Sequence, residues 1–157
     1  MWTSVMEPRI LSKQLKTCEV AVGALASQTG RTPVVVSEEM VSNMRPGSVI
    51  IDVSIDRGGC FETSEITSHE HPIFMKYGVI HYCVPNMPGA YGSTSTLALT
   101  NVTVHHLQTL AATPLARLPK LHRGLAKGIQ IHAGHVVCRP VADAQRLAAI
   151  PLESVLS

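Results

Sequence analysis

A β-branched apolar run that leads into a carboxylate and a glycine pair constrains this chain most. Residues 49–53 are almost continuously apolar, which predicts a strand buried on both faces. Asp56 follows within a few residues, and Gly58 and Gly59 allow positive φ angles or close approach of the backbone to a ligand. Open α/β sheets bind ligands at this place, the carboxyl end of a parallel strand. An ordinary turn with a capping Asp explains the same residues, so both interpretations stay open.

The segments around this run alternate between helical and extended patterns. The apolar spacing predicts a short amphipathic helix over residues 8–17 and a strand over residues 19–25. A second helix is predicted over residues 37–44, with a serine cap followed by two glutamates at its start. Helices that alternate with strands imply right-handed crossovers and a parallel sheet, so the predicted fold class is α/β.

A further strand is predicted over residues 79–84, and a loop over residues 85–89 follows it. In a parallel sheet this loop lies beside the Asp56 loop, because the carboxyl ends of parallel strands meet at one edge. The two loops would then form one crevice, in which Asn86 is a candidate binding residue. A plain turn residue before a proline is the alternative interpretation of Asn86.

The remaining segments predict mostly helical structure and one hairpin. A short helical turn is predicted over residues 74–77, and a longer helix over residues 93–112. Alternating residues on either side of Gly134 predict a small hairpin over residues 129–138. Pro140 suits the first turn of a final helix that ends near residue 148.

Composition excludes several classes of protein. The 157 residues are enough for roughly one domain. A formal charge of +2, scattered basic residues and 4% aromatics argue against nucleic-acid binding. No apolar run approaches the length of about 18 residues that a membrane span requires. The first residues show no signal-peptide pattern. The cysteine pattern described next favours free thiols in a reducing cytoplasm, so we expect a cytoplasmic protein.

The cysteines and histidines do not form metal-binding patterns. The four cysteines are far apart and include no C-x-x-C pair, which predicts free thiols rather than disulfides or a zinc knuckle. The cluster His69-Glu70-His71 and the pair His105-His106 lack the i, i+4 spacing of a helical metal site. We therefore predict no metal ion.

The sequence resembles the alanine dehydrogenase family over essentially its whole length. The most specific motif is Asp56-Arg57-Gly58-Gly59-Cys60. Nicotinamide nucleotide transhydrogenases share this fold but usually carry Glu, and a different residue after the glycines, so Asp56 and Cys60 favour alanine dehydrogenase. The segments that carry the resemblance are residues 52–62, 81–89, 94–101, 128–141 and 152–156.

This resemblance implies a partial Rossmann-type parallel sheet, the second half of an NAD-binding domain, over residues 1–100. Residues 101–157 would form a carboxyl-terminal helix and hairpin that return to the catalytic domain. No G-x-G-x-x-G occurs here, so the loop that binds the NAD pyrophosphate would precede Met1. The Arg, Lys and His of the family's substrate domain would also precede it. We therefore expect a carboxyl-terminal fragment with little activity alone.

The resemblance also implies site residues. Asp56 matches the family's catalytic carboxylate, beside the nicotinamide ribose and the substrate amine. The matched NAD-contacting residues are Leu25, Ala26, Val53, Ser54, Ile55, Asp56, Val84, Pro85, Asn86 and Met87. The implied reaction is the reversible, NAD-dependent oxidative deamination of L-alanine to pyruvate and ammonia, and the complete chain would be a homo-oligomer.

Two departures from the family and two alternatives accompany this interpretation. The segment Ser27-Gln28-Thr29 lacks a proline that is common in the family loop. Where many members carry Val, Pro and a basic residue, this chain has Tyr91-Gly92-Ser93, so a proline and a cation are absent from the entrance of the predicted helix. The first alternative is a non-catalytic nucleotide-binding or interaction module, since a fold does not fix a function. The second is a transhydrogenase-like NAD module.

Overall fold

The chain divides into two compact units, Met1–Tyr91 and Gly92–Ser157. The computed structural model describes residues 6–27 and 30–156. The first residues, for which no signal peptide is predicted, lie outside the described part. The domain roles inferred for residues 1–100 and 101–157 stay a prediction.

The first unit is built on a four-stranded sheet in the order β1-β2-β4-β3. Three of its strands are parallel, namely β1 (Val20–Gly23), β2 (Val49–Asp52) and β4 (Val79–Tyr82). The fourth, β3 (Ile73–Lys76), pairs antiparallel with β4 at the edge of the sheet. The predicted α/β class with a parallel sheet is confirmed.

Two helices in this unit begin at side-chain caps. Helix α1 (Pro8–Leu15) begins after Glu7, and helix α2 (Glu38–Ser42) begins after Ser37. The Ser37 side chain accepts a hydrogen bond from the backbone of Met40 at 3.3 Å, as the predicted serine cap requires. The first unit therefore runs helix, strand, helix, strand, in the predicted order.

The core of the unit lies on one face of the sheet only. Along β2, Ile50 and Asp52 are fully buried, whereas Val49 and Ile51 are half-buried. The prediction of a strand buried on both faces is therefore wrong. The physical reason is that the buried cluster gathers on the Ile50 side, and its members are Leu15, Val36, Val41, Met44, Ile50, Cys60, Phe61 and Val79.

The opposite face of the sheet is apolar and exposed. Val22 pairs in register with Ile51, and Met75 pairs with Ile80, so these side chains share the face away from the core. Val22 is 61% exposed and Met75 is 68% exposed. Parallel sheets are ordinarily covered on both faces, so this surface is unusual for a sheet of this class.

Strand β3 occupies the place where a helical turn over residues 74–77 is predicted from the sequence, and that prediction is wrong. Tyr77 and Gly78 have φ angles of 55° and 72°, the signature of a tight I′ hairpin turn between β3 and β4. The Tyr77 hydroxyl donates to Glu38 at 2.7 Å, and Lys76 forms an ion pair with the same carboxylate at 3.0 Å. These contacts hold the hairpin against α2.

The second unit is helical with one small hairpin. Helix α3 (Gly92–Ala112) confirms the predicted long helix, and none of its residues is buried. The predicted hairpin and final helix are also present. The remaining elements are α4 (Leu118–Leu121), α5 (Arg123–Ala126), β5 (Ile131–His132), β6 (His135–Val136) and α6 (Arg139–Gln145). Across residues 6–27 and 30–156, no helix is both long and apolar enough to cross a membrane.

Candidate functional site

The candidate site begins where β2 ends. The chain passes from Asp52 into a 3-10 turn, Val53–Arg57, which carries Asp56. Gly58 closes the turn at a φ angle of 97°, and Gly59 follows at 74°. The predicted left-handed conformation is therefore present at both glycines.

The buried carboxylate of Asp52 holds this turn together. Its Oδ1 accepts the backbone N–H of Ser54 at 3.0 Å. Its Oδ2 accepts the backbone N–H of Cys60 at 2.8 Å and the hydroxyl of Ser64 at 2.7 Å, with the Phe61 N–H at 3.4 Å. The sequence analysis did not single out Asp52. The signal was available, because a carboxylate that ends a buried apolar run must find several donors.

Gly59 is required by this arrangement as well as by its backbone angle. A Cβ at this position would lie 2.7 Å from the Oδ2 of Asp52 and 3.1 Å from the Cβ of Ser64. Only glycine lets the backbone come so close to the buried carboxylate.

Ser54 joins the loop after β1 to the turn after β2. Its hydroxyl accepts the backbone N–H of Leu25 at 2.7 Å and donates to the Leu25 carbonyl at 3.1 Å. Leu25 is half-buried and the adjacent Ala26 is exposed. The structure therefore brings the two predicted cofactor-contacting loops into direct contact.

Asp56 joins the same turn to the loop after β4. Its Oδ1 accepts the backbone N–H of Asn86 at 2.9 Å, and the side chain of Asp56 is exposed. Asn86 has a φ angle of 51°, an uncommon conformation that asparagine tolerates better than most residues. A carboxylate has two oxygens, so Asp56 can accept a further donor from a ligand.

The other predicted site residues differ in their access to solvent. Val53 is 46% exposed beside Asp56. Ile55 and Val84 are buried, so neither residue offers surface to a ligand in this structure. The side chains of Pro85 and Met87 are half-buried.

His69 lies at the same edge, and the sequence analysis did not connect it with this site. A Cβ built on Gly89 would lie 3.0 Å from the Nδ2 of Asn86 and 3.6 Å from the Nε2 of His69. The imidazole and the Asn86 amide therefore flank the same glycine. The intervening segment is too irregular for this proximity to be read from spacing.

The cysteines near the site are poor nucleophiles. Burial, together with the neighbouring Asp52 charge, raises the pKa of Cys60 to about 11. Burial also raises the pKa of the Cys83 thiol. Reactive cysteines need a lowered pKa. All four cysteines of the chain are free, as predicted.

The exposed groups at this end of the sheet offer a hydrogen-bond acceptor and an apolar surface. An exposed carboxylate can accept a hydrogen bond from a ribose hydroxyl or an ammonium group, and an exposed apolar Val53 can contact a ring. The sequence has no glycine-rich loop for a pyrophosphate. In the part of the chain that the structure describes, no group of three His, Cys, Asp or Glu side chains could hold a metal ion.

Comparisons with known proteins identify the family of this chain. Residues 3–139 match the family model described as alanine dehydrogenase/PNT, C-terminal domain. An alanine dehydrogenase from Lysinibacillus sphaericus is 37% identical over 155 residues, which are 98% of this chain and 42% of that protein. One from Halomonas elongata is 38% identical over 146 residues, 93% of this chain and 39% of that protein.

Solved structures show the same relationship. An L-alanine dehydrogenase structure superposes with a TM-score of 0.74 at 36% identity, covering 89% of this chain and 38% of that one. A transhydrogenase from Sinorhizobium meliloti shares the fold, with a TM-score of 0.64 at 22% identity over 85% of this chain and 36% of that one. The chain thus spans about two fifths of the length of the relatives it matches. It belongs to the alanine dehydrogenase/PNT C-terminal domain family.

Proposed function

We propose that this chain supplies the nicotinamide side of an alanine dehydrogenase site. Combined with a segment that supplies the missing phosphate and carboxylate contacts, it would take part in the NAD-dependent deamination of L-alanine. The reaction converts L-alanine, NAD⁺ and water to pyruvate, ammonium, NADH and a proton, and it is reversible. The observation that carries the proposal is the exposed Asp56 carboxylate, held against the backbone of Asn86 at the carboxyl ends of two parallel strands.

The residues of this chain would bind and orient rather than transfer hydride. The cofactor, when bound, accepts the hydride from the substrate. Asp56 would accept hydrogen bonds from the substrate ammonium and would assist proton transfer at that nitrogen. Leu25, Ser54 and Asn86 would fix the loops on either side. The side chain of Val53 would exclude water from one face of the site.

The relatives contain segments that this chain does not match, and the proposed activity depends on contacts from those segments. A pyrophosphate bound without its glycine-rich loop loses several charge-assisted hydrogen bonds. A substrate carboxylate that has no positively charged side chain to bind it is not held in one orientation. We therefore propose that the chain alone has little activity. A homo-oligomer of the complete protein and a cytoplasmic location stay predictions that rest on the family resemblance.

The test is NADH formation from L-alanine and NAD⁺. The chain is assayed alone and after mixing with the separately produced part of the Lysinibacillus sphaericus enzyme that it does not match. Sedimentation first establishes that the two polypeptides associate. We expect activity in the mixture only, and we expect Asp56→Asn to lower kcat by about a hundredfold or more.

Asp143→Asn is the matched control, since Asp143 is exposed and forms only a surface ion pair with Arg139 among the described residues. We expect that variant to keep full activity. A mixture that associates but forms no NADH contradicts the proposal and favours the binding-module or transhydrogenase-like alternatives. Activity in the chain alone contradicts the dependence on a missing segment.

A further inference from the structure

The carboxylate of Asp52 receives donors from both ends of the turn that carries Asp56. Ser54 donates from the start of the turn, and Cys60 and Phe61 donate from the segment after it. The Ser64 hydroxyl adds a donor from farther along the chain. Asp52 itself is fully buried, so no solvent competes for these bonds. The two ends of the turn are thus fixed to one charged group.

Side chains inside the turn bond it to the two neighbouring loops. Ser54 bonds the backbone of Leu25, and Asp56 accepts the N–H of Asn86. A shift of the turn would therefore change both contacts together. The Arg57 carbonyl adds a further link, because it accepts the backbone N–H of Thr32 at 2.8 Å in the segment after β1.

We propose that Asp52 is a positioning residue, whose buried carboxylate sets the place of Asp56 against Asn86 and of Ser54 against Leu25. It does not touch a ligand, because no part of its side chain reaches the surface. The inference rests on the proposed function only in taking Asp56 as the reactive carboxylate. The placement itself can be tested without any activity.

The most direct variant that preserves the fold is Ser64→Ala. It removes the 2.7 Å hydroxyl bond to Asp52 and leaves the backbone donors in place. Ser48→Ala is the matched control, because Ser48 also donates a hydroxyl bond of 2.7 Å, to the carbonyl of Arg45 at the opposite end of β2. Asp52→Asn is the stronger variant, since one of its atoms would become a donor that faces other donors.

The measurement is amide hydrogen exchange on the full chain, followed by NMR. The Leu25 and Asn86 amides report the two loop contacts. The Val49 amide, bonded to Glu19 at 2.9 Å within the sheet, reports global opening. We expect Ser64→Ala to raise exchange at Leu25 and Asn86 about tenfold, as the loss of one hydrogen bond to a charged group predicts. We expect exchange at Val49 to stay unchanged in Ser64→Ala. We expect Ser48→Ala to leave exchange at Leu25 and Asn86 unchanged.

Two results would overturn the proposal. One is unchanged exchange at Leu25 and Asn86 in Ser64→Ala, which would show that the bond supports its own segment alone. The other is an equal rise at Val49, which would show a general loss of stability. The associated mixture supplies a second readout, in which Ser64→Ala is expected to lower kcat/KM for L-alanine about tenfold while Ser48→Ala does not. If the mixture that contains the unaltered chain forms no NADH, the proposed function is contradicted. The exchange pattern then tests the positioning role of Asp52 independently of activity.

Discussion

Two aspartates four positions apart do different physical work in this chain. Asp52 is buried and surrounded by donors, so its charge is used entirely inside the protein. Asp56 is exposed and has a backbone donor on one oxygen, so the rest of its acceptor capacity faces outward. Asp52 ends β2 and Asp56 lies within the 3-10 turn that follows, so the two side chains have different surroundings. The residue type is the same, and only the surroundings make Asp52 a structural residue and leave Asp56 accessible to a ligand.

We expect Gly59→Ala to destabilise the fold strongly. Alanine at a φ angle of 74° costs about 1–2 kcal/mol by itself. The added Cβ would also lie 2.7 Å from Asp52, and such overpacking costs a further ~1–3 kcal/mol. Urea unfolding measures the loss. The control is Gly47→Ala, which has a φ angle of 83° and no atom within 4 Å of the new Cβ. Equal losses in the two variants would contradict the role given to the Asp52 contact.

His81 gives the fold a pH dependence. It is fully buried, stacks on Phe74 at 4.7 Å, and lies 2.8 Å from the Thr63 hydroxyl. Because the Val79 carbonyl can only accept, Nδ1 carries the proton and Nε2 accepts from Thr63 in the neutral form. Burial lowers the pKa of His81, and the bond to Val79 offsets part of that effect.

The unfolded chain therefore binds a proton at His81 more readily than the folded chain does. We expect the contribution of His81 to the free energy of unfolding to be complete above about pH 6.5. Below that pH the contribution declines by up to ~1.4 kcal/mol per pH unit, until the pH reaches the pKa of His81 in the folded chain. Urea unfolding between pH 5 and pH 8 measures the slope. His81→Gln should remove that part of the slope, and an unchanged slope in the variant would assign the pH dependence to other groups.

At the scale of elements, the sequence was informative wherever local chemistry decides the structure. The caps, the parallel strands, the long helix α3 and the hairpin around Gly134 all follow from apolar spacing or turn residues. Strand β3 was missed because its hairpin turn uses Tyr77 rather than the usual Asn or Asp, and Glu38 from a distant helix stabilises it. The burial of β2 on one face was not predicted, because an apolar run does not show which face of a strand packs against other residues.

The candidate site was predictable to the extent that topology decides it. Parallel strands bring their following loops together, which predicts that the Asp56 and Asn86 loops are neighbours. The particular bonds, Asp56 to Asn86 and Ser54 to Leu25, depend on φ angles and side-chain rotation that spacing does not specify. The role of Asp52 depends on donors from residues up to 12 positions away.

The open face of the sheet predicts self-association. Val22 and Met75 present apolar surface there, and β1 is an edge strand. We expect the double variant Val22→Lys, Met75→Lys to shift the chain toward a smaller species in sedimentation velocity, because charge on this face opposes contact between copies. Ile66→Lys is the control, since Ile66 is 72% exposed and lies outside the strands. Identical sedimentation in all three proteins would show that this face does not drive association.

For the whole molecule, the comparison of lengths and the geometry of the site lead to the same conclusion. The chain matches about two fifths of its relatives. The turn after β2 has an exposed carboxylate and an exposed apolar side chain, and the sequence offers no glycine-rich loop. Under the proposed function, such a site would bind the nicotinamide end of a dinucleotide and would need another segment to hold the pyrophosphate.

Affinity for NADH should therefore depend on what the chain is combined with. Two missing charge-assisted bonds to the pyrophosphate, at about 1.5–3 kcal/mol each, predict that the chain alone binds NADH about a hundredfold or more weakly than the associated mixture does. Fluorescence titration of NADH measures both affinities. Asp143→Asn should bind as the unaltered chain does in each case. If the chain alone and the mixture bind NADH with equal affinity, residues 1–157 hold the pyrophosphate by contacts other than a glycine-rich loop. The proposed division of the site between two segments would then be wrong.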